Sequence, residues 1–469
     1  MSSTFLFYDL ETFGLDSHYD RIAQAAAVRT DMDLNIIGPP LLLYSKLSPD
    51  YLPSPESCLV TGITPQMVNE KGMPEAEMIK ILLREMMVPS TITCGYNSIN
   101  FDDECIRTTL YRNLYDPYER EYKNGCSRWD IINLVRATRD LRPEGLIFTK
   151  KNSEGYTSFK LTDLTEENNI DQVGAHDALV DVYATINLAR LIKEKQPKLF
   201  SWALDHRGKE AIKTVVDPNK RMPFLCTSSA FVSPSGNTHP LLPLFYGNRN
   251  DLWCFDLTYS LPQRVERDNY KETGLYRLST NKCPFVAPIS TLSKEAEKRL
   301  GFTKEEILNK AKEIYKLSYF KAEDFSSPFD EAPKQTDIDP DLSLYGSFIS
   351  RDDKNRLQTI QNLSPRAKLM GEGSIPFDDP KYHKLVWRQV GRNWPESLDE
   401  EGKKKWKNWC ASRLLSPPVK EAQSIESYLK TCNEKFNSLE ISGTNKKIIL
   451  SLIEYGEKLK KTIINGEEK

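Results

Sequence analysis

The 469-residue sequence predicts three parts: an α/β domain, then a small β-rich domain, then an all-helical carboxy-terminal domain. Three observations lead to that reading. At about 150 residues per domain, a chain of this length needs roughly three cores. Short β-compatible runs alternate with capped helical stretches up to about residue 197, and with turn clusters from there to about 345. Beyond about 350 the chain is rich in Lys, Leu, Trp and Glu at helical spacing. The expected divisions are 1–197, 198–345 with a linker, and 346–469.

The elements follow in order. Residues 4–9 (TFLFYD), Ile22 to Val28 and Ile36 to Tyr44 read as strands, separated by Asp, Asn, Gly and Pro. Thr64 is placed to cap a helix with Pro65 at its first position, and the helix is expected to reach about Val88. A second helix starts after Phe101. A third runs from about Asp177 to Lys195, with Leu179, Val182, Tyr183, Ile186, Ala189 and Leu191 as its apolar stripe and Gln196-Pro197 as its stop. Turn clusters at 233–237 and 247–250 mark the β-rich part. Lys304 to Tyr315 is helix-compatible, and Ser326 to Asp341 reads as a linker. In the last part, Ile448, Ile449, Leu452, Ile453, Tyr455 and Leu459 recur at helical spacing.

Composition excludes several classes. With 64 Lys and Arg against 66 Asp and Glu the net charge is -2, so any nucleic-acid footprint must be local. Hydrophobic residues at 39% and charged residues at 28% argue against wholesale disorder. No apolar run approaches the ~20 residues that span a bilayer. The start, MSSTFLFYDLETFG, does not read as a secretory signal, so a cytoplasmic location is expected. Nine scattered cysteines without a C-x-x-C pair read as reduced structural thiols.

The chemistry lies in acids. Asp9 and Glu11 stand two apart at a strand end, so both carboxylates project to one face. Asp102 and Asp103 fall at a loop-to-helix transition within N-S-I-N-F-D-D-E-C-I-R. His176 precedes Asp181 by five residues, about 140° of helical rotation, so the two cannot share a helix face. His176 is therefore expected in the loop before the helix, with Asp181 pointing to the same place from the second turn. Hard divalent cations prefer oxygen ligands, and two such ions ~4 Å apart serve both sides of a phosphodiester. A neutral histidine nearby suits a general base. The class that follows is metal-assisted phosphodiester hydrolysis.

FYDLETFGLD, the TGIT segment, N-x3-FDD-x3-R and HDALVDVYATI resemble the motifs of DEDD exonucleases, in the histidine-containing branch. YLPSPESCLVTGITPQ, YRNLYDPY, SRWD, LRPEG, SFKLTDLT, INLARLIK and NKCP resemble the bacterial exonuclease I family more closely. The resemblance implies a processive 3′→5′ single-strand DNA exonuclease of repair and recombination that releases 5′-mononucleotides. Its fold would be a ribonuclease-H-like domain, an SH3-like domain and a helical domain. Asp9, Glu11, Asp102 and Asp181 match the family's acidic set and His176 its general base. Asp9, Glu11 and Asp181 are implied as ligands of two Mg²⁺, with Mn²⁺ tolerated, and Asp102 serves the second ion.

Between Tyr111 and Trp129 aromatics alternate with cations, a pattern suited to stacking bases and tracking a backbone, although Tyr111, Tyr115, Tyr118 and Tyr122 also fit a core stripe. The resemblance implies strand contacts at Glu11, Arg107, Tyr118, Tyr122, Arg136 and Lys160. The family commonly has Trp at the place of Tyr122 and Arg at that of Lys160. It also implies a groove, near Arg142 and Trp202, for the acidic tail of single-stranded DNA-binding protein. A monomer is expected. From Glu401 to Lys469 there are 14 Lys and Arg and 9 Asp and Glu, an excess of +5, and the helical domain is expected to close over the strand. Its Lys403, Lys404, Lys405 and Lys407 beside Trp406 and Trp409 fit either a backbone-facing surface or a solvated face over a private core. A short-RNA nuclease would share the acids but is a single small domain. A catalytically silent binding protein is disfavoured by the intact acidic set.

Overall fold

The computed structural model describes residues 3–170, 177–231, 233–247, 251–260, 272–316, 338–371, 375–439 and 441–466. Strand β1 (Thr4–Thr12) is central in the first sheet. It pairs antiparallel with β2 (Ile22–Thr30), which pairs with β3 (Leu41–Tyr44), and parallel with β4 (Thr91–Gly95), which pairs with β5 (Ser127–Asp130). The helices are α1 (Pro55–Thr61), α2 (Pro65–Lys71), α3 (Glu75–Met86), α4 (Asp102–Arg112), α5 (Ile132–Leu141), α6 (Leu161–Glu167) and α7 (Ala178–Lys195).

Side-chain alternation along β1 sorts the core. Phe5 and Phe7 face a cluster with Ala178, Val182, Ile186 and Ala189 of α7. Leu6, Tyr8 and Leu10 face Met78, Ile79 and Leu82 of α3 and Ile106 and Leu110 of α4. By the same period Asp9 and Glu11 lie on the α7 side, which decides where the acids meet. The run of alanines in β2 (IAQAAAVRT) keeps that face low where α7 packs against β1 and β2.

Two expected elements differ. The strand read from Ile36 is reduced to Leu41–Tyr44, because Pro39 and Pro40 have no amide donors to extend the ladder. The helix read from Thr64 to Val88 is two helices. Thr64 caps α2 as expected, its side chain accepting from the Met67 amide, but Gly72-Met73-Pro74 intervenes before α3, and a residue before proline avoids helical backbone. Helix α1 carries the same signature, with Ser54 accepting from the Ser57 amide ahead of Pro55. Pro197, read as a stop, opens α8 (Pro197–Asp205), followed by α9 (Lys209–Val215), so the β-rich part begins with helices.

The second sheet is antiparallel, in the order β10-β6-β7-β8-β9: β6 (Phe224–Thr227), β7 (Thr238–Tyr246), β8 (Leu252–Asp256), β9 (Leu275–Leu278) and β10 (Phe285–Pro288). Leu225, Leu242, Phe255 and Phe285 join the core that contains α5 and α8, while Ile212 and Val216 cover the other face. Helices α10 (Lys294–Leu300) and α11 (Lys304–Ile314) follow, and α11 starts with a Thr303/Glu306 capping box.

The last part is helical: α12 (Arg351–Gln361), α13 (Pro365–Gly371), α14 (Lys381–Asn393), α15 (Glu400–Leu415), α16 (Ile425–Asn437) and α17 (Gly443–Leu459). It does not stand apart from the first domain. Leu414, Tyr428, Ile449 and Leu452 share one cluster with Phe13, Tyr19, Tyr51 and Val68, and Leu357, Ile360 and Leu385 share another with Tyr111 and Leu114. Of the stretch read as a linker, residues 326–337 lie outside the described residues, and its end is buried. Asp341 accepts from Arg388 at 3.0 Å and Arg392 at 2.6 Å, and Asp339 accepts from Arg388 and Arg413 at 2.7 and 2.8 Å. Arg392 reaches across to Asp50 at 3.0 Å. A chain ending near Gly346 would expose both shared clusters and remove Arg392 from Asp50. The tryptophans of the basic stretch are packing residues. Trp406 is buried and stacks on Trp409 at 4.9 Å, and the Arg388, Arg392 and Arg413 guanidiniums lie 4.8–5.3 Å from the Trp409 ring.

This seam predicts an acid limb of stability. Burial pushes Asp50 up, but Arg392 and Arg21, with the Ser48 hydroxyl, bring it down to about 2. A carboxyl held below its unfolded value of ~3.9 stabilises fully above that value and loses its contribution as pH falls through about 2. Chemical denaturation from pH 6 to pH 2 should show this loss. Asp341→Ala, which strands buried guanidiniums, should cost about 3–5 kcal/mol at pH 7 and flatten the acid limb.

Candidate active site

Asp9 and Glu11 occupy β1 opposite Ala26 and Gln24 of β2, just before an irregularity in register between Glu11 and Thr12. Asp181 comes from the first turn of α7, not the second, because the helix starts at Ala178 with Asp177 as its cap. Asp9, Glu11 and Asp181 each bring a carboxylate oxygen within 4.8 Å of the others. Burial, followed by the charges of Asp102, Glu11 and Asp181, holds Asp9 well above the usual carboxylate range. Burial, then Asp181, Asp102 and Asp177, pushes Glu11 up to about 8.

The two adjacent aspartates of α4 differ completely. Asp103 turns to the other face of β1, where Tyr8 donates to it at 2.7 Å, Arg120 at 2.5 Å and Arg128 at 2.7 Å. Burial pushes it up, but Arg120 and Arg128 hold it well below the carboxylate range. Asp102, 7% exposed, has no such cation. Burial and Asp103 raise it to about 8, opposed by backbone hydrogen bonds at Asp102 and Leu10. The loop that delivers Asp102 is pinned by Asp130, the acid of SRWD, whose carboxylate accepts from the Asn97, Ile99 and Ile132 amides at 2.9–3.2 Å.

Asp9, Glu11 and Asp102, all held above the usual carboxylate range, form with Asp181 a donor set for hard cations. Oxygen ligands alone fit a divalent ion of the Mg²⁺ class, and no thiol or described imidazole competes. His176 lies outside the described residues.

Asp9 and Asp181 line a cleft of about 790 Å³ whose wall carries Arg136 and Lys160. Arg136 lies 5.6 Å from the Phe159 ring, and Lys160 caps α6 without an ion pair among the described residues. The facing wall went unforeseen: Ser229, Ser233, Gly236 and Asn237 of the second sheet's β6–β7 turn. The sequence marks 233–237 as a turn but not where it docks. Asn237 donates its amide to Asp140 at 2.7 Å, and a Cβ on Gly236 would fall 2.4 Å from the Asp140 Oδ1, so only glycine permits this approach.

Other candidates stand elsewhere. Arg107 is committed to Glu121 at 2.7 and 2.9 Å and Glu104 at 2.5 Å, and it lies over the Tyr118 ring at 5.2 Å. Tyr122 is 60% exposed, whereas Tyr111 is core, because α4 ends at Arg112 and the four tyrosines never form one helical stripe. Arg142 donates to the Thr291 carbonyl at 2.8 Å and so ties the first domain to the second, while Trp202 donates to that of Val286 at 2.8 Å within the second. All nine cysteines are buried, free thiols, and no helix among the described residues is long and apolar enough to cross a membrane.

A central strand with two acids, a third acid from the helix beside it and a fourth from a neighbouring helix define an acid-cluster exonuclease. Residues 6–189 match the Exonuclease family, 207–330 the Exonuclease I SH3-like domain and 338–459 the Exonuclease I C-terminal domain. The chain is 36% identical to exodeoxyribonuclease I of Haemophilus influenzae over 97% of its own length and 98% of that protein's. It superposes with TM-score 0.90 on E. coli exonuclease I in complex with a dA16 oligonucleotide, at 32% identity over 98% of this chain and all of that one. A crystal structure of SSB/exonuclease I with an inhibitor gives 0.86 at 32% identity, over 98% of this chain and all of that one. The chain belongs to the exodeoxyribonuclease I family.

Crowded carboxylates predict a metal-linked stability. Adding Mg²⁺ or Mn²⁺ should raise the unfolding midpoint of the wild type by relieving repulsion. Asp9→Asn should unfold at a higher temperature than the wild type without metal, and its response to metal should be largely lost. Differential scanning calorimetry with and without EDTA measures both.

Proposed function

We propose that this chain is a processive 3′→5′ exonuclease that degrades single-stranded DNA to 5′-mononucleotides, acting in repair and recombination as a cytoplasmic monomer. The observation that carries the reading is the approach of Asp9, Glu11 and Asp181 within 4.8 Å at a cleft lined by Arg136 and Lys160. The family and the dA16 complex of the E. coli relative support the substrate. Asp9, Glu11 and Asp181 would hold two Mg²⁺, with Asp102 serving the second and Mn²⁺ accepted. Such ions supply a polarised attacking water and neutralise the departing oxygen. Lys160 and Arg136 hold backbone phosphates, Lys160 as a point charge without the guanidinium fork. Glu11, Arg107, Tyr118 and Tyr122 complete the strand contacts, with Tyr122 offering its exposed ring to a base. His176 takes the proton of the attacking water at its imidazole nitrogen. In this reading the exonuclease part is 1–197, the SH3-like part 198–345 and the helical clamp 346–469.

Digestion of labelled single-stranded DNA and RNA, with Mg²⁺ and with EDTA, tests the assignment. Asp181→Ala should lose at least about a thousandfold in rate while retaining the strand. Cleavage at the wild-type rate by that variant would sink the proposal. His176→Ala should lose about 10²–10⁴-fold, together with the rise in rate through the imidazole range.

The SSB/exonuclease I crystal structure of a relative supports single-stranded DNA-binding protein as a second partner, and we infer that its acidic carboxy-terminal tail docks at Arg142 and Trp202. In titrations of a labelled tail peptide, Arg142→Ala should weaken binding about tenfold or more, and unchanged affinity would remove this groove.

A further inference from the structure

A second cavity, of about 480 Å³, opens between the exonuclease domain and the carboxy-terminal helices and shares no lining residue with the carboxylate cleft. Arg21, Lys46, Ser48 and Asn69 line it from the first domain, and Arg392 and Trp394 from the last. Arg21 is 5% exposed and makes no side-chain hydrogen bond among the described residues. Its Nε is sealed from solvent without a partner. The Asp50 carboxylate lies 3.7 Å from Nη2, beyond hydrogen-bonding distance.

The neighbouring acids are spoken for. Asp50 accepts from Arg392 at 3.1 Å and from the Ser48 hydroxyl. Glu75, also on the wall, accepts from Arg112 at 2.7 and 3.1 Å and from Asn113 at 2.8 Å. Burial, then the like charges of Arg112 and Arg392, lowers Arg21 to about 10, so its own kind outweighs its counter-ions. A guanidinium buried without a hydrogen-bond acceptor is costly: Arg21 has only the looser charge contact with Asp50 and the Tyr51 ring 5.4 Å away, whereas Arg388, Arg392 and Arg413 nearby each donate to a carboxylate. Lys46 stands exposed at the mouth, unpaired among the described residues. The Asn69 side-chain oxygen is taken by the Leu47 amide, which leaves its amide N–H groups as donors. Glu396, on the exposed rim, is the acid that opposes an anion.

We propose that this cavity is an anion site for a phosphate group, carried by inorganic phosphate or by a nucleoside 5′-monophosphate, and that its occupant braces the seam between the two domains. A tetrahedral oxyanion offers enough acceptors for Arg21, Lys46 and Asn69 together, and a guanidinium fork favours it over halide.

The test uses the full chain in EDTA at constant ionic strength, with calorimetric titration and thermal unfolding. Inorganic phosphate, dAMP and chloride are compared. Saturable binding in the millimolar range is expected, with a rise of about 1–2 °C in the unfolding midpoint at saturation. Lys46→Glu should weaken it at least about tenfold, Arg21→Gln should abolish it, and Lys160→Ala, in the other cleft, should leave it unchanged. Should Arg21→Gln not fold, Lys46→Glu at the exposed mouth decides. Equal responses to phosphate and dAMP assign free phosphate as a sufficient ligand, and a response to dAMP alone assigns the nucleotide. No response beyond that of chloride, one that survives Lys46→Glu, or one lost in Lys160→Ala overturns the proposal.

Discussion

Repulsion among carboxylates crowded at one end of β1 is the constraint around which this molecule is built. Asp9 and Glu11 cannot separate, because they share a strand face, and Asp181 and Asp102 are pressed in by helices with apolar anchors on both sides of the sheet. Such crowding persists only on a rigid frame. Phe5 and Phe7 against α7, and Leu6, Tyr8 and Leu10 against α3 and α4, supply that frame, so core packing sets the spacing on which metal binding depends.

Neighbouring acids with opposite fates show how finely charge is apportioned. Asp103 has two arginines and a tyrosine and is structural, while Asp102, one residue earlier, is left without a cation beside the cluster. The ion pairs of Asp103 also fix Arg128, whose Nη2 donates to the Asn281 carbonyl in the second domain at 3.0 Å. The same carboxylate thus secures the first turn of α4 and a contact between domains.

The helical domain is bound to the first by shared apolar clusters and by a network in which Asp341, Asp339 and Asp50 are interleaved with Arg21, Arg388, Arg392 and Arg413. Buried networks of this kind contribute less to net stability than to register, because desolvation offsets much of the attraction. Fixed register holds the helical domain in a constant relation to the cleft.

Much of the site was legible from one dimension. The two-residue spacing of Asp9 and Glu11, the cap at Thr64, the helix carrying Asp181 and the periodic Ile448 to Leu459 are local signals, since strand and helix periods are properties of neighbouring residues. Proline and glycine were harder to read, because Pro74 divides a helix and Pro197 begins one, and only the flanking packing tells these apart. The sequence by itself determined the acidic set, the three-part order of elements and the family. Tertiary structure alone decided that Asp103 is spent on Arg120 and Arg128, that a turn of the second sheet walls the cleft, that Arg107 is held by carboxylates, and that Asp341 ends a buried hub instead of a linker. The reason is that these outcomes depend on partners far apart in the chain, whose charges and volumes act only once the fold has brought them within a few ångströms.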